Sequence, residues 1–342
     1  MRPDHARLLV CPDCQGSLDL RVAMMDGERV REGALTCAQC AARFPVANGI
    51  PRFVSGMAGM EALTAEAFGY QWRRFSEHSP LVEVEFRDYI DPIHPEDLEG
   101  LTVLDAGCGN GRFTRLAALS QAKLVVAVDL SPQCVEVTRD CTADLPNVFV
   151  VQADLTRLPF VRCFDFAFSL GVIHHLPVPS TGISGVIRTV VPGGRFLAWV
   201  YGGEGGGSLI RILEWLRTRV TRRLPHPALR AAAWVGGAGF WQVARMLYRP
   251  ARRLTPRFFR RLPLGEYVVF QSGLGFRYLW LTVFDKLVAP VVAYPTRDEL
   301  AGWFSDAAPG RLSIVSRRGY SWKAFFEPAS APQKGLRPAG GV

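Results

Sequence analysis

The stretch VLDAGCGNGRF, residues 103 to 113, restricts the fold of this chain more than any other. An apolar run over residues 101 to 106 stops at Gly107, Gly109 and Gly111, and a helical pattern then occupies residues 112 to 119. Alternate glycines let the backbone turn sharply and leave room for a ligand to lie against it. A strand that passes through such a turn into a helix opens a βαβ unit, and the sequence that follows keeps the alternation. Strand patterns at residues 124–129, 148–152, 164–170 and 195–201 are interleaved with helical ones, such as residues 132–140. That order predicts an α/β chain with a doubly wound, mostly parallel sheet, helices on both faces, and a ligand beyond the carboxyl ends of the strands.

A dinucleotide-binding G-x-G-x-x-G would place glycine at position 112, where Arg112 stands. The order here is Asp105-x-Gly107-x-Gly109-x-Gly111. Further on, VVAVDLSP ends its strand on Asp129, twenty-two residues past Gly107, and VQADLTRLPF places Asp154 after the third strand. FDFAFSLGVIHHL reads as the fourth strand with its loop, and VPGGRFLAWV as a turn and the fifth. Taken singly, Asp129 and Asp154 would be ordinary turn or cap residues. In this order, after successive strands, the segments resemble the motifs of class I S-adenosylmethionine-dependent methyltransferases of the type 11 kind.

The resemblance covers most of residues 99–200 and returns over 294–328, where TRDELAGWFSDA looks like the last helix and RLSIVSRRGYSWKAFF like a closing antiparallel pair. It implies a seven-stranded Rossmann-like methyltransferase sheet with S-adenosylmethionine as cofactor. It also implies cofactor contacts from Asp105, Gly107, Cys108, Gly109, Gly111, Asp129, Leu130, Asp154, Leu155 and Ser169, with Asp129 on the ribose hydroxyls and Asp154 at the adenine amino group. His174 and His175 are weak candidates for a general base beside a purely structural reading. No base is assigned, because methyl transfer from a sulfonium relies chiefly on in-line positioning.

A second signature precedes this core. Cys11, Cys14, Cys37 and Cys40 form C-x2-C-x22-C-x2-C. Each pair sits on a knuckle that turns both sulfurs to one point, and four thiolates close a tetrahedral zinc site with no open position. The expected zinc is therefore structural, stapling a segment too short for a sizeable apolar core of its own. CPDCQGSLDL, LTCAQC and FPVANGIPRF together resemble the Trm112-like zinc ribbon, which occurs fused to methyltransferases or as their partner.

The chain thus divides into the ribbon (1–54), a helical connector and cofactor lid (55–98), the cofactor-binding core (99–200), a basic helical insert or cap (201–293), the last helix and strand pair (294–328), and a tail expected to be disordered (329–342). In the connector, FGYQWRRF spaces Phe68, Tyr70, Trp72 and Phe75 near helical periodicity. Those rings either pack on the sheet or, through Tyr70 and Trp72, close over the cofactor, where an aromatic face suits a sulfonium.

Of the net charge of +9, the insert holds more than the total: thirteen arginines, no lysine and one acid, Glu214, lie between Arg211 and Arg261. Ser208 is positioned to cap a helix there. Arginine mixed with Trp, Phe and Tyr suits three roles: a cap on the core, peripheral membrane contact through residues 208–261, or single-stranded nucleic acid. The expected acceptor is a small-molecule or lipid-linked metabolite, taken ahead of the alternative, an rRNA or tRNA position. Against amino-group methylation of bases, Ser169-Leu170-Gly171-Val172 stands where Asn-Pro-Pro-Tyr would be needed. Charges and Pro3 at the start, with no signal-peptide run and no spanning apolar stretch, give a cytoplasmic expectation, peripheral at the inner membrane face if the insert docks there.

Overall fold

The computed structural model describes residues 1–54, 57, 59–75, 81–202, 214–215, 217, 219–221 and 224–329. The N-terminal module is a four-stranded antiparallel sheet of β1 (Leu18–Asp26), β2 (Arg29–Cys37), β3 (Arg43–Ala47) and β4 (Ile50–Pro51), paired in that order. Helices α1 (Gly59–Arg74) and α2 (Leu81–Ile90) lead into the core.

The core alternates as its sequence demands: β5 (Thr102–Ala106), α3 (Arg112–Leu119), β6 (Leu124–Asp129), α4 (Pro132–Cys141), β7 (Val148–Gln152), β8 (Phe164–Leu170), α5 (Pro179–Ile187) and β9 (Val190–Tyr201). After the insert come α11 (Arg297–Ala307), β10 (Gly310–Arg317) and β11 (Ser321–Pro328). The seven strands lie in the order β10-β11-β9-β8-β5-β6-β7. Pairings from β9 to β7 are parallel, and β11 runs against both its neighbours. The expected seven-stranded, mostly parallel sheet is present. Strand β9 begins earlier than its sequence pattern, because Val190 already pairs with Phe164 before the irregularity that brings Arg195 opposite Phe166.

Residues alternate across the sheet, and each face has its own apolar layer. Leu104, Ala106, Val126 and Val128 face α5, α11 and the N-terminal module, through Ile183, Phe304, Leu35 and Phe53. Val103, Val125, Phe166 and Phe168 face α2, α3 and the insert, through Phe86, Phe113 and Tyr267.

The N-terminal module seats itself on the free edge of β7. Phe53 N–H donates to the Gln152 carbonyl at 2.8 Å, and in the segment before β8 Val161 N–H donates to the Leu8 carbonyl at 3.0 Å. Arg52 donates from Nη1 to Gln152 Oε1 at 3.0 Å and is also paired with Glu136. An open strand edge is a site of unwanted pairing, and here the chain pairs with its carboxyl end at Gln152.

The insert contributes α6 (His226–Val243), a π-helical turn (Ala244–Tyr248), α7 (Arg249–Leu254), α8 (Pro256–Phe259), α9 (Gly265–Gly273) and α10 (Phe276–Val288). A stripe at four-residue spacing, Leu229, Ala233 and Gly237, is the buried side of α6. A β-carbon at Gly237 would stand 3.4 Å from the Trp280 α-carbon on α10. The helix expected to start at Ser208 begins outside the described residues, as does the tail from residue 330 onward.

Candidate functional site

Two sites are assembled. In the first, Cys11, Cys14, Cys37 and Cys40 place their sulfurs within 4.8 Å of one another. Cys11 Sγ is 3.6 Å from Cys40 Sγ, and Cys14 Sγ is 3.4 Å from Cys37 Sγ. Thiolates about 2.3 Å from a zinc ion at the centre of a tetrahedron lie roughly 3.8 Å apart, so the cluster fits that ion. The four candidate ligands come from two knuckles, and zinc held there would tie the loop before β1 to the end of β2.

The second is a cavity of about 130 Å3 at the carboxyl ends of β5, β6 and β8. Its floor is the glycine turn. Gly107 has φ +98°, and a β-carbon there would run into the Val172 side chain. Gly109 has φ +56°, and a β-carbon would stand 2.9 Å from Trp72 Nε1. The Gly107→Ala protein is accordingly expected to lose about 2 kcal/mol or more of stability in urea titration, from left-handed backbone strain plus the clash.

Asp129 closes the end of β6. Its Oδ2 accepts from Gly109 N–H at 3.0 Å and its Oδ1 from Ser131 N–H at 2.9 Å, so the carboxylate locks the glycine turn to the start of α4. Both oxygens keep lone pairs for a ligand's hydroxyls. Burial raises its pKa to about 6, against the lowering effect of those backbone donors. Asp154 caps the turn after β7 by accepting from Thr156 N–H at 2.8 Å.

Gly107, Cys108, Gly109, Asp129, Leu130, Asp154, Leu155, Trp72 and His175 all line this cavity, and Asp105, Gly111, Ser169, Tyr70 and His174 do not. The reasons are geometric. Asp105 points to the α3 side of the sheet, where it accepts from the Thr114 hydroxyl at 2.6 Å, and burial lifts its pKa to about 7. The Ser169 hydroxyl donates to the Ala106 carbonyl at 2.7 Å and ties β8 to β5. Gly111 packs on Thr138 of α4. Tyr70 is turned to the insert, its ring 4.6 Å from that of His226. His174 is fully buried, with neither ring nitrogen hydrogen-bonded.

His175 differs from its neighbour. Its Nδ1 lies 2.6 Å from the Val291 carbonyl, an acceptor only, so Nδ1 carries the proton and Nε2 holds a lone pair. Burial pushes its pKa down, with Asp285 opposing, so the ring is neutral at physiological pH.

The cavity also has walls that sequence patterns did not indicate. Asp285, from α10 of the insert, reaches the lining and accepts from Gln71 Nε2 at 2.9 Å and from the Tyr201 hydroxyl at 2.8 Å. Outside the lining, Lys286 Nζ stands 3.9 Å from the Tyr201 ring centre, and burial lowers its pKa to about 8. Arg112, which displaces the dinucleotide glycine, lies between the Trp72 and Phe113 rings at 4.9 and 4.5 Å, with the Glu85 carboxylate 3.8 Å away. The aromatic face of Trp72 therefore meets an internal cation.

Residues 104–198 match a family described as a methyltransferase domain. Over 132 residues the chain is 34% identical to an uncharacterized chloroplastic methyltransferase of Arabidopsis thaliana, a match covering 36% of this chain and 37% of that protein. Over 184 residues it is 28% identical to a tRNA U34 carboxymethyltransferase of Pseudoalteromonas translucida, covering 50% of this chain and 56% of the relative. The chain thus spans little more than half, or less, of these relatives. Among solved structures it is similar to an S-adenosylmethionine-dependent methyltransferase from Aquifex aeolicus, with 15% identity, a TM-score of 0.44, and coverage of 75% of this chain and 97% of that one. The segment that builds the cavity floor thus lies within the part of the chain that is similar to a methyltransferase domain.

Proposed function

We propose that the chain is an S-adenosylmethionine-dependent methyltransferase that works at the cavity over the glycine turn. The observation that carries this reading is Asp129, which lines the cavity with Gly107 and whose carboxylate is held in place by the Gly109 and Ser131 N–H groups. The cofactor would bring the sulfonium-bound methyl group. The chain's residues would cradle it, exclude water with Phe68 and Trp72 of α1, and orient the acceptor beside His175 and Asp285.

In this reading His175 takes the acceptor's proton at Nε2 while its Nδ1–H stays on the Val291 carbonyl. His175→Gln is expected to lower kcat about a hundredfold while cofactor affinity stays near the parent value. Because burial holds the ring below its ordinary pKa, kcat should stay level upward from pH about 6.5 and fall only on the acid side. A drop in kcat centred at or above that pH, or full activity in the variant, would remove His175 from the chemistry.

For the acceptor, the curated relatives favour RNA over the small or lipid-linked metabolite expected from sequence, because several, including one of Aeromonas salmonicida at 30% identity over 184 residues, carry the name tRNA U34 carboxymethyltransferase. The metabolite reading keeps one supporting observation, an apolar outer face on the insert. Transfer of labelled methyl from S-adenosylmethionine into host-cell RNA, lipid and soluble pools separates them, with Asp129→Ala protein as the blank. Label in RNA supports the first reading; label confined to lipid or small molecules replaces it with the second.

A further inference from the structure

The outer side of the insert is built unlike the rest of the surface. While Leu229, Ala233 and Gly237 turn inward, the opposite stripe of α6 exposes Trp234 and Val235, 48% and 66% open to solvent, with no charged side chain from Ala231 to Ala244. In the π-helical turn and α7 that follow, Met246 is 75% and Leu254 80% exposed. Phe258, on α8, is exposed as well. Arg245, Arg252, Arg253, Arg257, Arg260 and Arg261, interleaved with these residues along the sequence, are exposed too. The sequence has no acid from residue 215 to 265, and the next one, Glu266, pairs with Arg252 at 3.2 Å.

An apolar patch of this kind on a soluble surface marks an interaction site, and its chemistry narrows the occupant. Aliphatic Val235, Met246 and Leu254 offer nothing to a phosphodiester backbone and no flat surface for a base. A second copy of the same face would bring arginine against arginine. A bilayer interface accepts both features, taking the aliphatic and aromatic side chains below its headgroups and the arginines among anionic lipid phosphates. Among the described residues no helix is long and apolar enough to cross a membrane.

The geometry points to residues 231–258 of the insert as a peripheral docking face for an anionic lipid surface. It lies on the outside of α6 and α7, away from the cavity, and does not depend on which acceptor that cavity serves. The docked chain lies flat, with α6 in the plane of the interface and α10 between it and the core.

The test is flotation of the full chain with vesicles of phosphatidylcholine alone and of phosphatidylcholine mixed with phosphatidylserine. At low salt the protein should float with the mixed vesicles only and be released as salt rises. Val235→Glu and Met246→Glu, both at exposed positions, should each weaken partitioning about tenfold or more with melting temperature unchanged. Absence of flotation at low salt overturns the proposal, as does flotation indifferent to both variants. Two further results also overturn it: RNA binding, or concentration-dependent dimerisation in sedimentation, abolished by the same substitutions would assign the face to nucleic acid or to a second copy.

Discussion

The Asp129→Ala protein is expected to bind S-adenosylmethionine about a hundredfold more weakly than the parent, measured by calorimetry at pH 7.5. Two losses combine. The carboxylate no longer meets the ligand's hydroxyls, and the Gly109 and Ser131 N–H groups it satisfies are left without a partner at the point where the turn must keep its shape. Hydrogen bonds to a charged group contribute roughly 1.5 to 3 kcal/mol each, and about 2.7 kcal/mol is a hundredfold in affinity. Cys108→Ala supplies the contrast. That residue lines the same cavity, but its sulfur only accepts from the Thr138 hydroxyl at 3.3 Å, so affinity should move by no more than a few-fold. Equal effects in the two proteins would take Asp129 off the cofactor. The parent's own pH profile adds a check. Burial raises Asp129 to about 6, so the acceptor form predominates above that pH and cofactor affinity should decline as pH falls through it.

The largest expected stability effect is at the cysteine clasp. Purified protein should carry one zinc per chain, and Cys37→Ser, or removal of zinc by a strong chelator, should lower the melting temperature by about 10 °C or more. Zinc supplies on the order of 10 kcal/mol to folding of such a module, and loss of even a part of that is large against the net stability of a domain. The effect should spread beyond the cysteines, because Leu35, Val46 and Phe53 share one apolar layer with Leu104 and Val128 of the core. A zinc-free protein that melts with the parent would show that packing on the core alone holds the N-terminal strands.

Both of these sites were legible in the sequence because each is local in the chain or tied to strand ends. The glycine turn, the acid ending β6 and the knuckles of the clasp are short segments whose geometry follows from their residue types. What sequence did not yield depends on tertiary packing. Tyr70 and Trp72 are two positions apart on one helix and therefore face about 200° apart, so only Trp72 reaches the cavity while Tyr70 meets the insert. Asp105 sits one residue from a strand end, and strand alternation sends it under α3. Asp285 belongs to a helix with no recognisable motif. It arrives at the cavity because α10 packs against α1, where Gln71 holds one oxygen of its carboxylate while Tyr201 at the end of β9 holds the other, and nothing in local periodicity records that.

The seating of the N-terminal module on β7 has a consequence of mass action. A cap that belonged to a second polypeptide would leave its strand edge whenever the two were diluted below their dissociation constant. Here Arg52 and Phe53 reach Gln152 from the same chain, and the Gln152 side chain in turn donates to the Leu130 carbonyl at the cavity wall, at 3.0 Å. Covalent linkage fixes the effective concentration of the cap irrespective of how much protein is present. The cavity's wall and the clasp are thereby supplied in a one-to-one ratio by a single translation product, with no assembly step for dilution to reverse.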